Sequence, residues 1–116
     1  MIGSKLLHDA RVLVETGWCQ GTGARDATGK ATDVAGADAA SWSLLGALQA
    51  TTAADPSTQL QDVGDAVSAL AELIMDPSLA DWNDSEARTK LEVLTVLKDA
   101  EVLALEQLIY HEFSTN

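Results

Sequence analysis

Residues 83–113 read NDSEARTKLEVLTVLKDAEVLALEQLIYHEF, and the reading of this stretch decides the fold. Leu91, Val93, Leu94, Val96, Leu97, Val102, Leu103, Leu105, Leu108 and Ile109 sit at helical spacing and cover more than half of a helix circumference. A helix this apolar is either central, with neighbours on several sides, or pairs with another chain. Asn83-Asp-Ser-Glu86 reads as a variant capping box with Asn at its head, which predicts a single long helix from there to Phe113.

Working outward, Asp76-Pro77 and Asp55-Pro56 each offer a capping Asp followed by Pro, which tolerates the first helical position because its missing N–H has no partner there. The first predicts a short turn over Ser78 to Trp82. The second predicts a helix starting at Asp55, with Leu60, Val63, Val67, Leu70 and Ile74 as a narrow apolar seam. Asp38 to Thr51 predicts a further helix, in which Ser43, Gly46, Ala47 and Ala50 allow a neighbour to come close. Ser4 to Thr16 predicts the first helix, capped by Ser4 and ended by Gly17. Residues 18–37 between them are rich in Gly, Thr, Ala and Asp. Asp26-Ala-Thr-Gly29 fits a type I turn, and short extended arms on either side would make a small hairpin. The expected architecture is an all-α, single-domain bundle spanning 1–116. It has about four main helices, the last as spine, a Gly-rich loop at 18–37 and a frayed tail at 114–116.

Composition agrees with a folded domain. The chain is 47% hydrophobic and only 4% aromatic, so its core must be aliphatic. One cysteine cannot form an intramolecular disulfide, and no spacing suggests a metal or cofactor site. No stretch reaches the length of a membrane span, and the N-terminus does not read as a secretory signal, so a cytoplasmic protein of a bacterial host cell is expected. Net charge is −11, unevenly placed: Ala31 to Ala87 holds ten carboxylates and no Lys or Arg. Such a field repels nucleic acid, favours a basic protein partner, and also keeps a protein soluble.

The stretch GWCQGTGARDATGK, residues 17–30, invites comparison with phosphate-binding loops and fails it. Five residues separate Gly23 from Gly29, Ala31 stands where a magnesium-binding hydroxyl belongs, and a helix precedes where a strand is needed. The dinucleotide fingerprint fails too, with Asp26 at the place of its third glycine. The glycines are better explained by backbone geometry, with Trp18 anchoring the loop. Cys19 with His8 as base is a weak nucleophile candidate, and His111 and Glu112 are adjacent, so they cannot chelate together. One polar constellation stands out: Gln20, Arg25 and Asp26 from the loop with Asn83, Asp84 and Arg88. It is open to two readings, a ligand site or a structural staple in which Asn83 caps and Arg25–Asp84 or Arg88–Asp26 pairs tie loop to bundle.

Four segments together, GWCQGTGARDATGK, SWSLLGAL, LADWNDSEART and KLEVLTVL, resemble a small uncharacterised family of bacterial and bacteriophage proteins. Its members carry a Gly-Trp-x-Gln-Gly loop with a later Ala-Arg-Asp and Gly, a Trp-x-x-x-Gly-Ala-Leu helix, and a Trp-Asn-Asp turn with Arg-Thr before the final helix. The resemblance maps onto Trp18, Gln20, Gly21, Arg25, Asp26, Gly29, Trp42, Gly46, Ala47, Trp82, Asn83, Asp84, Arg88 and Thr89. Ser43 departs from it, since Cys is expected there. The resemblance implies no activity, and implies a phage or mobile-element origin.

The leading functional expectation is therefore a small acidic, non-catalytic interaction module using Asp55, Asp62, Asp65, Glu72, Asp76 and Asp81. It would inhibit a host protein by occupying a basic, nucleic-acid-binding surface, as anti-defence and CRISPR-inhibitor proteins of phages do. The residues do not decide between enzyme and non-enzyme, and the alternative is a small-ligand protein or enzyme with its site between loop 18–30 and the Trp-Asn-Asp turn. A homodimer through the last helix is a further possibility.

Overall fold

The computed structural model describes the backbone of residues 1–114 and the side chains of residues 1–110. It is a helical bundle: α1 (Gly3–Thr16), α2 (Leu44–Ala54), α3 (Leu60–Leu73), α4 (Leu79–Asp84) and α5 (Lys90–Ser114). Two short strands, β1 (Ala24–Arg25) and β2 (Ser41–Trp42), pair antiparallel in the long α1–α2 connection.

The first helix is the central one, rather than the last. It packs against α2, α3 and α5, and Leu6, Leu7, Ala10 and Val14 lie fully buried on it. Its start differs from expectation. Ile2 is the N-cap and makes no side-chain cap, while Ser4 is buried inside the helix. Gly17 ends it as expected, its N–H donating to the Leu13 carbonyl at 3.1 Å. The last helix buries Val93, Leu97, Ala100 and Ala104 against α1 and α3 and leaves its opposite face open. The frayed tail placed at 114–116 meets a helix that includes Ser114, and residues 115 and 116 lie outside the described residues.

The starts of α2 and α3 differ from expectation, each for a local reason. Residues 38–43 are not helical: Ser41–Trp42 is a strand, and Ser43 caps α2, its Oγ accepting from the Gly46 N–H at 3.0 Å. Asp55 does not cap α3. Its carboxylate accepts from Ser57 N–H and Oγ–H at 2.9 and 2.6 Å, forming a turn that postpones the helix. Gln59 and Asp62 then form the capping box. The predicted seam loses only its first member, Leu60, which is 91% exposed: Leu70 and Ile74 are buried, Val63 and Val67 pack against the core, and Ala66 and Ala69 add to the burial. Asp76 repeats the Asp55 device with Ser78 N–H at 2.9 Å, and Ser78 caps α4.

The largest correction concerns Asn83-Asp-Ser-Glu86, which does not open the last helix. Asn83 and Asp84 end α4, and α5 begins after a genuine capping box at Thr89 and Glu92. Thr89 Oγ1 accepts from the Glu92 N–H at 3.2 Å, and the Glu92 carboxylate accepts from the Thr89 N–H at 3.0 Å.

Candidate functional site

Asn83 decides the geometry of the polar constellation. It is fully buried, and both ends of its amide are used. Its Oδ1 accepts from Trp18 Nε1 at 2.8 Å and from the Leu44 N–H at 3.0 Å. Its Nδ2 donates to the Cys19 carbonyl at 3.2 Å and to Asp84 Oδ1 at 2.9 Å. One side chain thus joins the loop, the first turn of α2 and α4, three segments far apart in sequence. Buried polar groups must be paired, and this one is paired four times.

Around it the loop is fastened by further bonds. Gln20 Nε2 donates to the Asn83 and Ser85 carbonyls at 2.8 and 2.9 Å. The Gly21 N–H donates to Asp84 Oδ1 at 2.9 Å. Gly21 has φ +84°, in the left-handed region that favours glycine, which accounts for this glycine without any phosphate. Close approach accounts for another: a side chain at Gly46 would collide with the Gly23 carbonyl, so α2 and the loop meet backbone to backbone.

Arg25 and Asp26 belong to the loop's own turn. Arg25 donates to the Gly29 and Gln20 carbonyls at 3.0 and 2.9 Å. Asp26 Oδ1 accepts from Thr28 N–H, Thr28 Oγ1 and Lys30 N–H at 2.9, 2.6 and 3.0 Å. These bonds, the Thr28 hydroxyl first, hold the Asp26 carboxyl below its ordinary value. The expected hairpin is present in miniature, with an antiparallel bridge between Arg25 and Ala31. Arg88 stands apart. It stacks on Trp82 at 3.8 Å from the ring centroid, donates to the Trp82 carbonyl at 2.9 Å and pairs with Glu92 at 2.9 Å. Neither the Arg25–Asp84 nor the Arg88–Asp26 pair forms among the described residues. The structure therefore brings together Gln20, Asn83 and Asp84, with Arg25 and Asp26 beside them and Arg88 elsewhere.

A cleft of about 210 Å³ adjoins this cluster, lined by Gly21, Thr22, Ser43, Gln49, Ala80 and Asp84 among others. Of the cluster's polar groups only the exposed Asp84 faces it. Cys19 is buried, and burial pushes its thiol above the ordinary value. Its Sγ contacts the Thr22 carbonyl at 3.7 Å, while His8 bonds Asp9 at 3.0 Å, so the two do not act on each other. The side chains of His111 and Glu112 lie outside the described residues. Among the described residues no group of three or more His, Cys, Asp or Glu is placed to hold a metal ion, and no helix is long and apolar enough to cross a membrane.

The carboxylates expected to meet a partner lie elsewhere. Asp62, Asp65 and Glu72 are on α3, Asp55 precedes it, and Asp76 and Asp81 follow it. Asp55 and Asp62 lie 3.8 and 3.9 Å from the Met1 amino group. Glu72 accepts from Gln107 at 3.1 Å. The Lys and Arg ion pairs among the described residues, made by Lys5, Arg11, Arg88 and Lys98, are with Asp9, Glu15, Glu92 and Glu101, all outside the 31–87 segment. Among the described residues, folding therefore brings no Lys or Arg within ion-pair distance of a carboxylate of the acidic segment, although Arg25 and Arg88 touch it at Ser41 and Trp82. This feature is invisible in the sequence, because it depends on where every cation ends up.

Comparison with curated proteins finds no match, and comparison with solved structures finds none. A family model matches residues 3–103, from the start of α1 through most of α5, and so includes the loop, the Asn83 staple and the acidic helix. The chain belongs to the family of unknown function DUF6197.

Proposed function

We propose that this protein is a small, non-catalytic interaction module whose acidic α3 side engages a basic surface on another protein, in competition with nucleic acid. The observation that supports this reading is the placement of the cations. Every Lys or Arg ion pair among the described residues serves a carboxylate outside residues 31–87, so apart from the Met1 amino group beside Asp55 and Asp62 the acidic residues around α3 keep their outward field. A field of one sign raises the rate of encounter with an oppositely charged partner and suppresses binding to nucleic acid itself. An inhibitor of a nucleic-acid-binding host protein, as mobile elements deploy against host defences, is the biological role consistent with it.

Affinity capture from the natural host tests this. Replacing Asp55, Asp62, Asp65 and Glu72 by Asn or Gln is expected to abolish capture of the partner at moderate salt, and unchanged capture overturns the electrostatic reading. The alternative, a ligand site or enzyme built on Gln20, Arg25, Asp26, Asn83, Asp84 and Arg88, draws less support. Most of those groups are spent on each other and on backbone carbonyls, and the adjoining cleft of about 210 Å³ is small beside the roughly 300–1,000 Å³ of typical ligand pockets.

A further inference from the structure

The outer face of α5 carries an ordered stripe that the bundle does not use. Leu91, Thr95, Lys98, Val102, Leu105 and Ile109 follow one another at alternating steps of four and three, opposite the face that packs on α1 and α3. Four of them are large and exposed: Leu91 by 72%, Val102 by 43%, Leu105 by 45% and Ile109 by 49%. One flank of the stripe is acidic and periodic. Glu92, Asp99 and Glu106 recur every seven residues, about 10.5 Å apart along the axis at 1.5 Å per residue. Beside that flank runs a groove of about 400 Å³ between α5 and the α3–α4 region, walled by Leu73, Trp82, Leu91 and Val96 and edged by Glu92 and Asp99. The other flank, towards α1, mixes Glu101 with Lys5 and His8.

We infer that this groove and stripe receive an amphipathic helix of a partner protein, one with an apolar seam and Lys or Arg at seven-residue intervals on a single flank. The inference rests on the reading that the acidic side of the molecule takes a basic partner, and it names the element that partner presents. Charge complementarity selects this occupant over a second copy of the chain. An antiparallel pair of α5 helices centred on the stripe sets Asp99 against the same residue of the copy, and Glu92 against Glu106. A parallel pair places Lys98 against Lys98 inside the apolar seam. A basic helix forms ion pairs with Asp99 and Glu106, Glu92 staying with Arg88, while its seam covers Leu91, Val102, Leu105 and Ile109.

The test uses a labelled 21-residue helical peptide with a Leu seam and Arg every seventh residue, and an isomer of the same composition in scrambled order. Fluorescence anisotropy is expected to show the ordered peptide binding at least about tenfold more tightly than the isomer. The exposed pair Asp99→Asn with Glu106→Gln should weaken it by about three- to tenfold, as expected for two partly exposed ion pairs. Val102→Asp should weaken it by about tenfold or more, because an unpaired charge enters the seam. Circular dichroism checks that both variants keep the native helix content. Equal binding of the two peptides overturns the groove while leaving the general acidic reading standing. Binding of neither peptide overturns it too, and the α3 variants then judge the broader reading separately. Light scattering that shows a dimer, dissociated by Val102→Asp and indifferent to the peptide, assigns the stripe to self-association and also overturns it.

Discussion

Replacing Asn83 by Ala is expected to cost this protein a large share of its stability, although the residue sits in a short helix outside the main bundle. In the native structure its amide satisfies the Leu44 N–H and the Cys19 carbonyl in a buried setting, and Trp18 Nε1 at a half-buried one. Truncation strands the first two, at about 1–3 kcal/mol for each buried group left without a partner. Trp18, with one side open, can turn to water and adds less. The loss is therefore about 2–6 kcal/mol against a total of about 5–15 kcal/mol for a natural domain. With a urea slope of about 1.5 kcal/mol/M, the unfolding midpoint falls by about 1–4 M. Urea unfolding followed by circular dichroism measures this. Asn83→Asp separates hydrogen bonding from volume: it keeps the shape and the acceptor for Trp18 and Leu44, but turns an acceptor towards the Cys19 carbonyl and Asp84. It should destabilise at neutral pH about as much as Ala does. A loss below about 1 kcal/mol in both variants would refute the claim that Asn83 holds loop, α2 and α4 together.

Other outcomes follow from the same structure. Gly46→Ala places a methyl group against the Gly23 carbonyl and should cost about 1–3 kcal/mol or prevent folding, whereas Gly64→Ala enters open space on α3 and should stabilise by about 0.5–1 kcal/mol; paired thermal melts decide. Cys19, buried and with its thiol pushed up, should react with a thiol reagent at mildly alkaline pH far more slowly in the native protein than in urea; equal rates would contradict its burial. Asp26 has its folded value depressed below the ordinary 3.8 by the Thr28 hydroxyl and the neighbouring backbone N–H groups. Its contribution is thus fully present above the unfolded value and is lost as pH falls through the lower folded one. Asp26→Asn should accordingly flatten the acid limb of a melting-temperature profile below that value, and an unchanged limb would contradict the loop geometry.

The helices were readable where a long apolar period did not depend on distant partners. Leu6, Leu7, Ala10 and Val14 marked α1 and its core face, and the 91–109 pattern marked α5. Starts were harder, because Asp before Pro-Ser is equally good at capping a helix and at closing a turn on the Ser two residues on. At Asp55 and Asp76 the turn won, and the helices began at Leu60 and Leu79. Trp18 was rightly read as the loop's anchor, yet its partner was out of sight, since Asn83 lies 65 residues away. Asn83 itself carried a misleading local signal. The Asn-Asp-Ser-Glu pattern suited a cap, while burial and three long-range bonds assigned it to the end of α4, and Thr89 with Glu92 did the capping. The two postulated Arg–Asp staples were replaced by arginine bonds to carbonyls and by stacking on Trp82, which sequence spacing does not distinguish from ion pairing.

The measurement that bears most directly on the functional claim is an NMR titration of the ¹⁵N-labelled protein with the partner captured from the host. The account predicts that amide shifts and broadening concentrate on α3 around Asp62, Asp65 and Glu72 and on the outer face of α5 around Asp99, Val102 and Glu106, and that they fade as salt rises. Perturbations confined to Gly21–Gly23, Gln49 and Asp84, insensitive to salt, would contradict it and move the function to the cleft beside the Asn83 staple.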